Sequence, residues 1–120
     1  MAYDNQNVFA KIIRGDIPCK KIYEDAFALA FHDINPLTPV HALVIPKGSY
    51  ENHKDFSDNA SPEEQVGLTK AIGKTAEIIG VADGGYRLIT NCGVNGGQEV
   101  PHYHVHILGG GPVGCMINAK

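Results

Sequence analysis

The chain has no long apolar run, no cluster of basic residues and no paired-cysteine motif. Its longest apolar segments, such as Ala42 to Pro46, are far short of the roughly 20 residues a membrane span needs. Met1 to Lys11 offers no apolar stretch able to serve as a signal peptide. The expectation is therefore a cytoplasmic protein without a membrane partner. Ten Lys and Arg oppose thirteen Asp and Glu, a net charge of −3. Without a basic run, this argues against a nucleic acid polymer held by counterion release. A small anion stays open, because backbone N–H groups can hold a phosphate without net positive charge. The three cysteines, Cys19, Cys92 and Cys115, are odd in number and lack C-x-x-C spacing. That argues against a disulfide framework or a cysteine-ligated zinc site and favours free thiols in a reducing compartment.

What is present is an ordinary globular composition, 43% hydrophobic and 19% charged over 120 residues. The length suits a single domain, 1–120, and leaves no room for two. No repeat, linker or low-complexity tract is evident.

Asp4 or Asn5 could cap a first helix, in which Val8, Phe9, Ile12 and Ile13 share one face and Gly15 is the stop. Lys21 to Glu24 reads as a short strand and Asp25-Ala26 as a turn. In the strand Phe27 to Asp33, residues Phe27, Leu29, Phe31 and Asp33 share one face, and Ala28, Ala30 and His32 the other. Val40 to Ile45 is a further strand closed by Pro46, and Lys47 to Ala60 reads as a polar loop. Ser61-Pro62-Glu63-Glu64 is a strong helix start, with Leu68, Ile72, Thr75, Ala76 and Ile79 at helical spacing and Gly80 as the stop. Tyr86 to Asn91 and His102 to Leu108 are the last strands, with a glycine-rich loop from Gly93 to Pro101 between them. This order predicts an α+β domain: a mostly antiparallel sheet covered by a long helix, plus a short N-terminal helix.

Half of the six histidines fall within Pro101-His102-Tyr103-His104-Val105-His106-Ile107-Leu108. On a strand, His102, His104 and His106 line one face while Tyr103, Val105 and Ile107 line the other and can pack on the long helix. A solvated histidine-rich strand, a metal site and phosphoryl or nucleotidyl transfer are the competing readings. Two alternate histidines can ligate zinc with a third ligand from elsewhere. All three reach too far for one ion, because alternate residues lie roughly 6.6 Å apart. Just upstream, Asn91 to Val100 is glycine-rich without matching G-x-x-x-x-G-K-[ST] or G-x-G-x-x-G. Next to facing imidazoles it would serve as a phosphate cradle beside a nucleophile, since neutral imidazole is available at pH 7 and leaves phosphorus readily.

The His-x-His-x-His pattern followed by apolar residues resembles the histidine triad (HIT) family. The blocks Phe9 to Pro18, Ala30 to Pro46 and Gly96 to Gly110 are similar to its Hint branch of purine nucleoside phosphoramidases, so the resemblance runs from about Val8 to about Ile117. It implies a hydrolase of nucleoside 5′-phosphoramidates that works through a nucleotidyl-histidine intermediate on His104, without metal or other cofactor. His102 would hold the nucleophile's tautomer, in part through its backbone carbonyl. His106 would contact the phosphate and assist the leaving group, and His41 would support the triad. Asp33 would bind the ribose hydroxyls. Val8, Phe9, Ile12, Ile17, Phe31, His32, Ile34 and Leu43 would form the base slot, although each also reads as a core residue. Asn91, Gly97, Gln98, Glu99 and Val100 would surround the phosphate. Glu99 stands where some members carry serine, and a carboxylate there repels phosphate unless turned away or protonated. The resemblance also implies a homodimer with a purine nucleotide or phosphoramidate as ligand. Its alternatives are a dinucleoside polyphosphate hydrolase of the same family or a catalytically weak nucleotide-binding protein.

Overall fold

The computed structural model describes residues 2–117. The N-terminal residues wind into α1 (Val8–Arg14) behind an Asn7 cap, whose Oδ1 accepts from Ala10 N at 2.9 Å. The cap lies later than Asp4 or Asn5 because the Asp4 carbonyl is used in the preceding turn, where it accepts from Asn7 Nδ2 at 2.7 Å. Gly15 ends the helix with φ 83°, a conformation that costs glycine little, and donates its N–H to Ile12 O at 3.0 Å.

Five strands form one antiparallel sheet: β1 (Lys21–Glu24), β2 (Ala28–His32), β3 (Val40–Pro46), β4 (Tyr86–Ile89) and β5 (Val105–Gly109), in the order β1-β2-β3-β5-β4. Asp25 makes the first turn by accepting from Phe27 N and Ala28 N at 2.8 and 2.9 Å. The last strand begins later than the sequence predicts. His102 and His104 precede it, because the local backbone is bonded elsewhere. His102 N donates to Val100 O, Tyr103 N donates to Tyr50 O, and His104 O accepts from Thr90 Oγ1. The ladder to β3 starts only where Val105 faces Val44. Similarly, β2 and β4 are shorter at their ends than Phe27–Asp33 and Tyr86–Asn91.

Between β3 and the long helix, the expected loop holds a helix, α2 (His53–Asn59), capped by Asn52 and anchored by buried Phe56. α3 (Pro62–Ile78) opens with a full capping box: Glu64 N donates to Ser61 Oγ at 3.1 Å, and Ser61 N to Glu64 Oε1 at 3.0 Å. Its buried Leu68, Ala71, Thr75 and Ala76 pack on one sheet face with Ala28, Ala30, Ala42, Val44, Val105 and Ile107. The alanines of β2 and β3 are fully buried, so the helix sits close to the backbone. On the opposite face, Phe9 of α1 closes a second core with Leu29, Phe31, Leu43 and Ile45. Burying a side chain such as Ile45 contributes about 1.5–3 kcal/mol. Among the described residues, no helix is long and apolar enough to cross a membrane, and Cys19, Cys92 and Cys115 are free thiols.

Candidate active site

The second core is not completed by side chains. It opens into a cleft of about 340 Å³ between α1, the end of β2, β3 and the loop before β5. Val8, Phe9, Ile12 and Ile17 line it from the N-terminal side, and Phe31, Leu43 and Val100 from the sheet side. His32, Asp33 and Ile34 border it at the end of β2, with Ile34 almost wholly exposed. Asn91, Gly97 and Glu99 come from the glycine-rich loop, and His104 and His106 also line the cleft. Three lining residues were not singled out from sequence: Pro18, Cys19 and Asn35. Pro18 and Cys19 directly follow Ile17, which was the available signal.

Three of the sequence candidates stand outside the lining. Gln98 turns away and braces the loop. Its Oε1 accepts from Gly93 N at 2.9 Å, while Nε2 donates to Glu51 O and Val100 O at 2.7 and 3.0 Å. His102 is fully buried behind the cleft. His41 is buried on β3, beside His106.

Hydrogen-bond partners assign the proton on each of these four imidazoles. Pro46 O can only accept, so His102 Nε2 carries a proton and donates to it at 2.9 Å. His102 O likewise accepts from His104 Nδ1–H at 2.6 Å. His104 Nε2 is therefore the unprotonated nitrogen of the neutral ring. Leu37 N donates to His41 Nδ1 at 3.1 Å, which puts the His41 proton on Nε2. That proton is directed to His106 Nδ1 at 2.9 Å, with an Asp33 carboxylate oxygen 3.4 Å away. The neutral His106 ring then carries its own proton on Nε2. Ring centroids of His104 and His106 are 5.2 Å apart, and Phe9 lies edge-on to His104 at 4.9 Å. The three triad imidazoles thus share the face of Phe9 and Leu43, while Tyr103, Val105 and Ile107 pack towards α3.

Burial holds these rings neutral. It lowers His104 below the ordinary imidazole value against weaker opposing effects from the His102 carbonyl, Asp33 and Glu99. His102 falls to about 4 through burial. His106 also falls to about 4 through burial, reinforced by His104 and His41. Burial likewise lowers His41, with Asp33 opposing. Among the described residues, no lysine or arginine lines the cleft, whereas Asp33 and Glu99 both do.

Asp33, His41 and His106 bring potential metal-ligand atoms within 4.8 Å of one another. A cation at that point would have to displace the proton between His41 and His106 and leave Leu37 N–H facing a protonated nitrogen. The group is better described as a hydrogen-bonded imidazole pair beside a carboxylate.

In this antiparallel α+β fold, a neutral, oriented imidazole lines a half-apolar cleft and leaves a nitrogen lone pair where a ligand can sit. Residues 14–113 match the HIT domain, and the chain belongs to that family. It is 54% identical over 115 residues to an HIT-like protein of Azospirillum brasilense, covering 96% of this chain and 94% of that one. It is 43% identical over 116 residues to the purine nucleoside phosphoramidase of Escherichia coli, covering 96% of each. Among solved structures, an HIT family hydrolase from Clostridium thermocellum superposes with a TM-score of 0.86 at 46% identity, covering 96% of this chain and 99% of that one.

Proposed function

We propose that this HIT-family nucleotide hydrolase cleaves the P–N bond of purine nucleoside 5′-phosphoramidates. The observation that carries the reading is the proton placement on His104: Nδ1–H is held by the His102 carbonyl, and Nε2 keeps its lone pair in the cleft. The 43% identity to the E. coli purine nucleoside phosphoramidase supports the choice of bond. The purine would occupy the slot between α1 and β2 and β3, with Asp33 accepting from the ribose hydroxyls. Asn91, Gly97, Glu99 and Val100 would surround the phosphate, with Gln98 holding their loop in shape.

In the first step His104 Nε2 attacks the α-phosphorus and forms a new P–N bond. The substrate P–N bond breaks, and the departing nitrogen takes a proton from a neighbouring water and leaves as the amine. His106 Nε2–H donates a hydrogen bond to the phosphoryl group during this step, with its orientation set by His41. The adduct ring is cationic, bearing phosphorus on Nε2 and hydrogen on Nδ1, and is therefore a good leaving group. In the second step the hydroxide left by that water attacks phosphorus. The His104–phosphorus bond breaks, which releases the nucleoside monophosphate and restores neutral His104. The homodimer and the intracellular setting belong to the same proposal and rest on the family resemblance.

The test is chemical trapping. Rapid acid-free quenching with adenosine 5′-phosphoramidate, followed by digestion and mass spectrometry, should find the nucleotidyl group on the peptide carrying His104. An adduct on another residue would move the nucleophile. Faster turnover of a dinucleoside polyphosphate than of the phosphoramidate would favour the alternative substrate.

A further inference from the structure

Behind the triad, the N-terminal segment crosses His102. Tyr3 Oη lies 2.5 Å from His102 Nδ1, and its ring meets the imidazole edge-on with centroids 5.7 Å apart. Because His102 Nε2–H is committed to Pro46 O, Nδ1 of the neutral ring has only a lone pair to offer. The proton between the two groups must therefore come from the tyrosine hydroxyl. Asn7 Nδ2 donates to Tyr3 Oη at 2.9 Å, so the phenol accepts one bond and gives one. The resulting path runs from Asn7 through Tyr3 to His102, and from the His102 carbonyl to His104. Asn7 performs this task while its Oδ1 caps α1, whose Phe9 packs on both His102 and His104. Tyr3 and Asn7 both precede residues 14–113, so neither is part of the HIT domain match.

We propose that Tyr3 is a positioning residue of the site. Its hydroxyl locks the fully buried His102 ring at the end opposite Pro46, and so holds the peptide whose carbonyl keeps the His104 proton on Nδ1 and its Nε2 free. The catalytic consequence rests on the phosphoramidase reading above, but the proton arrangement itself does not. Two anchors on one ring leave a single orientation. Removing the hydroxyl leaves a buried ring nitrogen without a donor and lets the ring, with its carbonyl, move relative to His104.

The experiment compares the full-length parent with Tyr3→Phe, which keeps the edge-on aromatic contact and loses only the hydroxyl. Ring 15N chemical shifts of the histidines report proton position directly. In the parent, His102 should show Nε2–H with a hydrogen-bonded Nδ1, and His104 should show the pure Nδ1–H form. In Tyr3→Phe, the His102 Nδ1 signal should move to that of an unbonded nitrogen, and His104 should show a mixture of tautomers. With adenosine 5′-phosphoramidate, kcat should fall about tenfold with KM within about twofold, the size expected when one hydrogen bond to a buried group is lost. A His104 that stays purely Nδ1–H in Tyr3→Phe overturns the proposal, whatever the rate. A parent that turns over no phosphoramidate would instead count against the substrate reading. The ring-nitrogen signals, which need no substrate, would still decide for or against Tyr3.

Discussion

His41 Nε2 sits 2.9 Å from His106 Nδ1, although 65 positions separate the two residues. The antiparallel pairing of β3 with β5 makes the meeting possible, since it sets His41 opposite Leu108 and Leu43 opposite His106. The pair passes orientation from a backbone N–H at Leu37 to the ring that faces the cleft.

Replacing His41 should therefore act through His106. His41→Ala removes the donor to His106 Nδ1 and the acceptor of Leu37 N–H. We expect kcat to fall by about tenfold or more, given roughly 1–3 kcal/mol for a buried group left unpaired. Nucleotide affinity should change little. Steady-state kinetics alongside equilibrium AMP binding check this, and an affinity loss as large as the rate loss would contradict it.

The lowered histidines make stability depend on pH. His102 and His106 sit at about 4 in the folded protein against an ordinary 6.5. Between those values the unfolded chain binds protons that the folded chain refuses. Stability should thus be highest above about 6.5 and fall as the pH drops towards about 4, by roughly a few kcal/mol in all. Denaturant melts at pH 7 and pH 4.5 measure it; equal midpoints would show that the imidazoles titrate normally. Because burial also lowers His104, the acid limb of kcat/KM should lie below the ordinary imidazole value.

Glu99 places a carboxylate on a cleft that no lysine or arginine lines among the described residues. Glu99→Gln should tighten AMP binding about two- to fivefold at low salt, and the gain should shrink as salt screens the charge. Calorimetric titrations at two ionic strengths test this. Weaker binding by the variant would mean that the carboxylate makes a favourable contact with the ligand.

The loop before β5 should tolerate little at Gly96. A Cβ there would lie 2.5 Å from Cys92 O and 2.8 Å from Cys92 N, and backbone atoms cannot swing aside as a side-chain tip can. Gly96→Ala should destabilise by about 1–3 kcal/mol and weaken nucleotide binding. Gly73→Ala, with nothing within 4 Å of its Cβ, should be harmless and serves as the control. Thermal melts of the two variants give the comparison.

The elements most legible in sequence were those with strong local chemistry. Ser61-Pro62 and Glu64 announce α3 by capping alone, and Gly15 announces the end of α1 by its left-handed turn. The period-two pattern placed Tyr103, Val105 and Ile107 on the α3 side even though His102 and His104 lie before the strand proper. α2 was hidden because Phe56 is its one buried apolar side chain, so no periodicity marks it. Asp4, Asn5 and Asn7 have the same capping chemistry, and sequence alone does not show that the Asp4 carboxylate and carbonyl are already engaged in the turn before α1. Gln98 braces the loop rather than facing the phosphate position that the resemblance implies, because its side chain is turned by Glu51, which is distant in sequence. Tyr3 carried no pattern at all, because its partner lies 99 positions away.

The central sheet keeps two separate cores, alanines and branched residues under α3 on one side and the aromatic slot under α1 on the other. A substitution in the slot's lining can therefore reshape what the cleft accepts without touching the side chains packed under α3, because the thickness of the sheet lies between the two clusters.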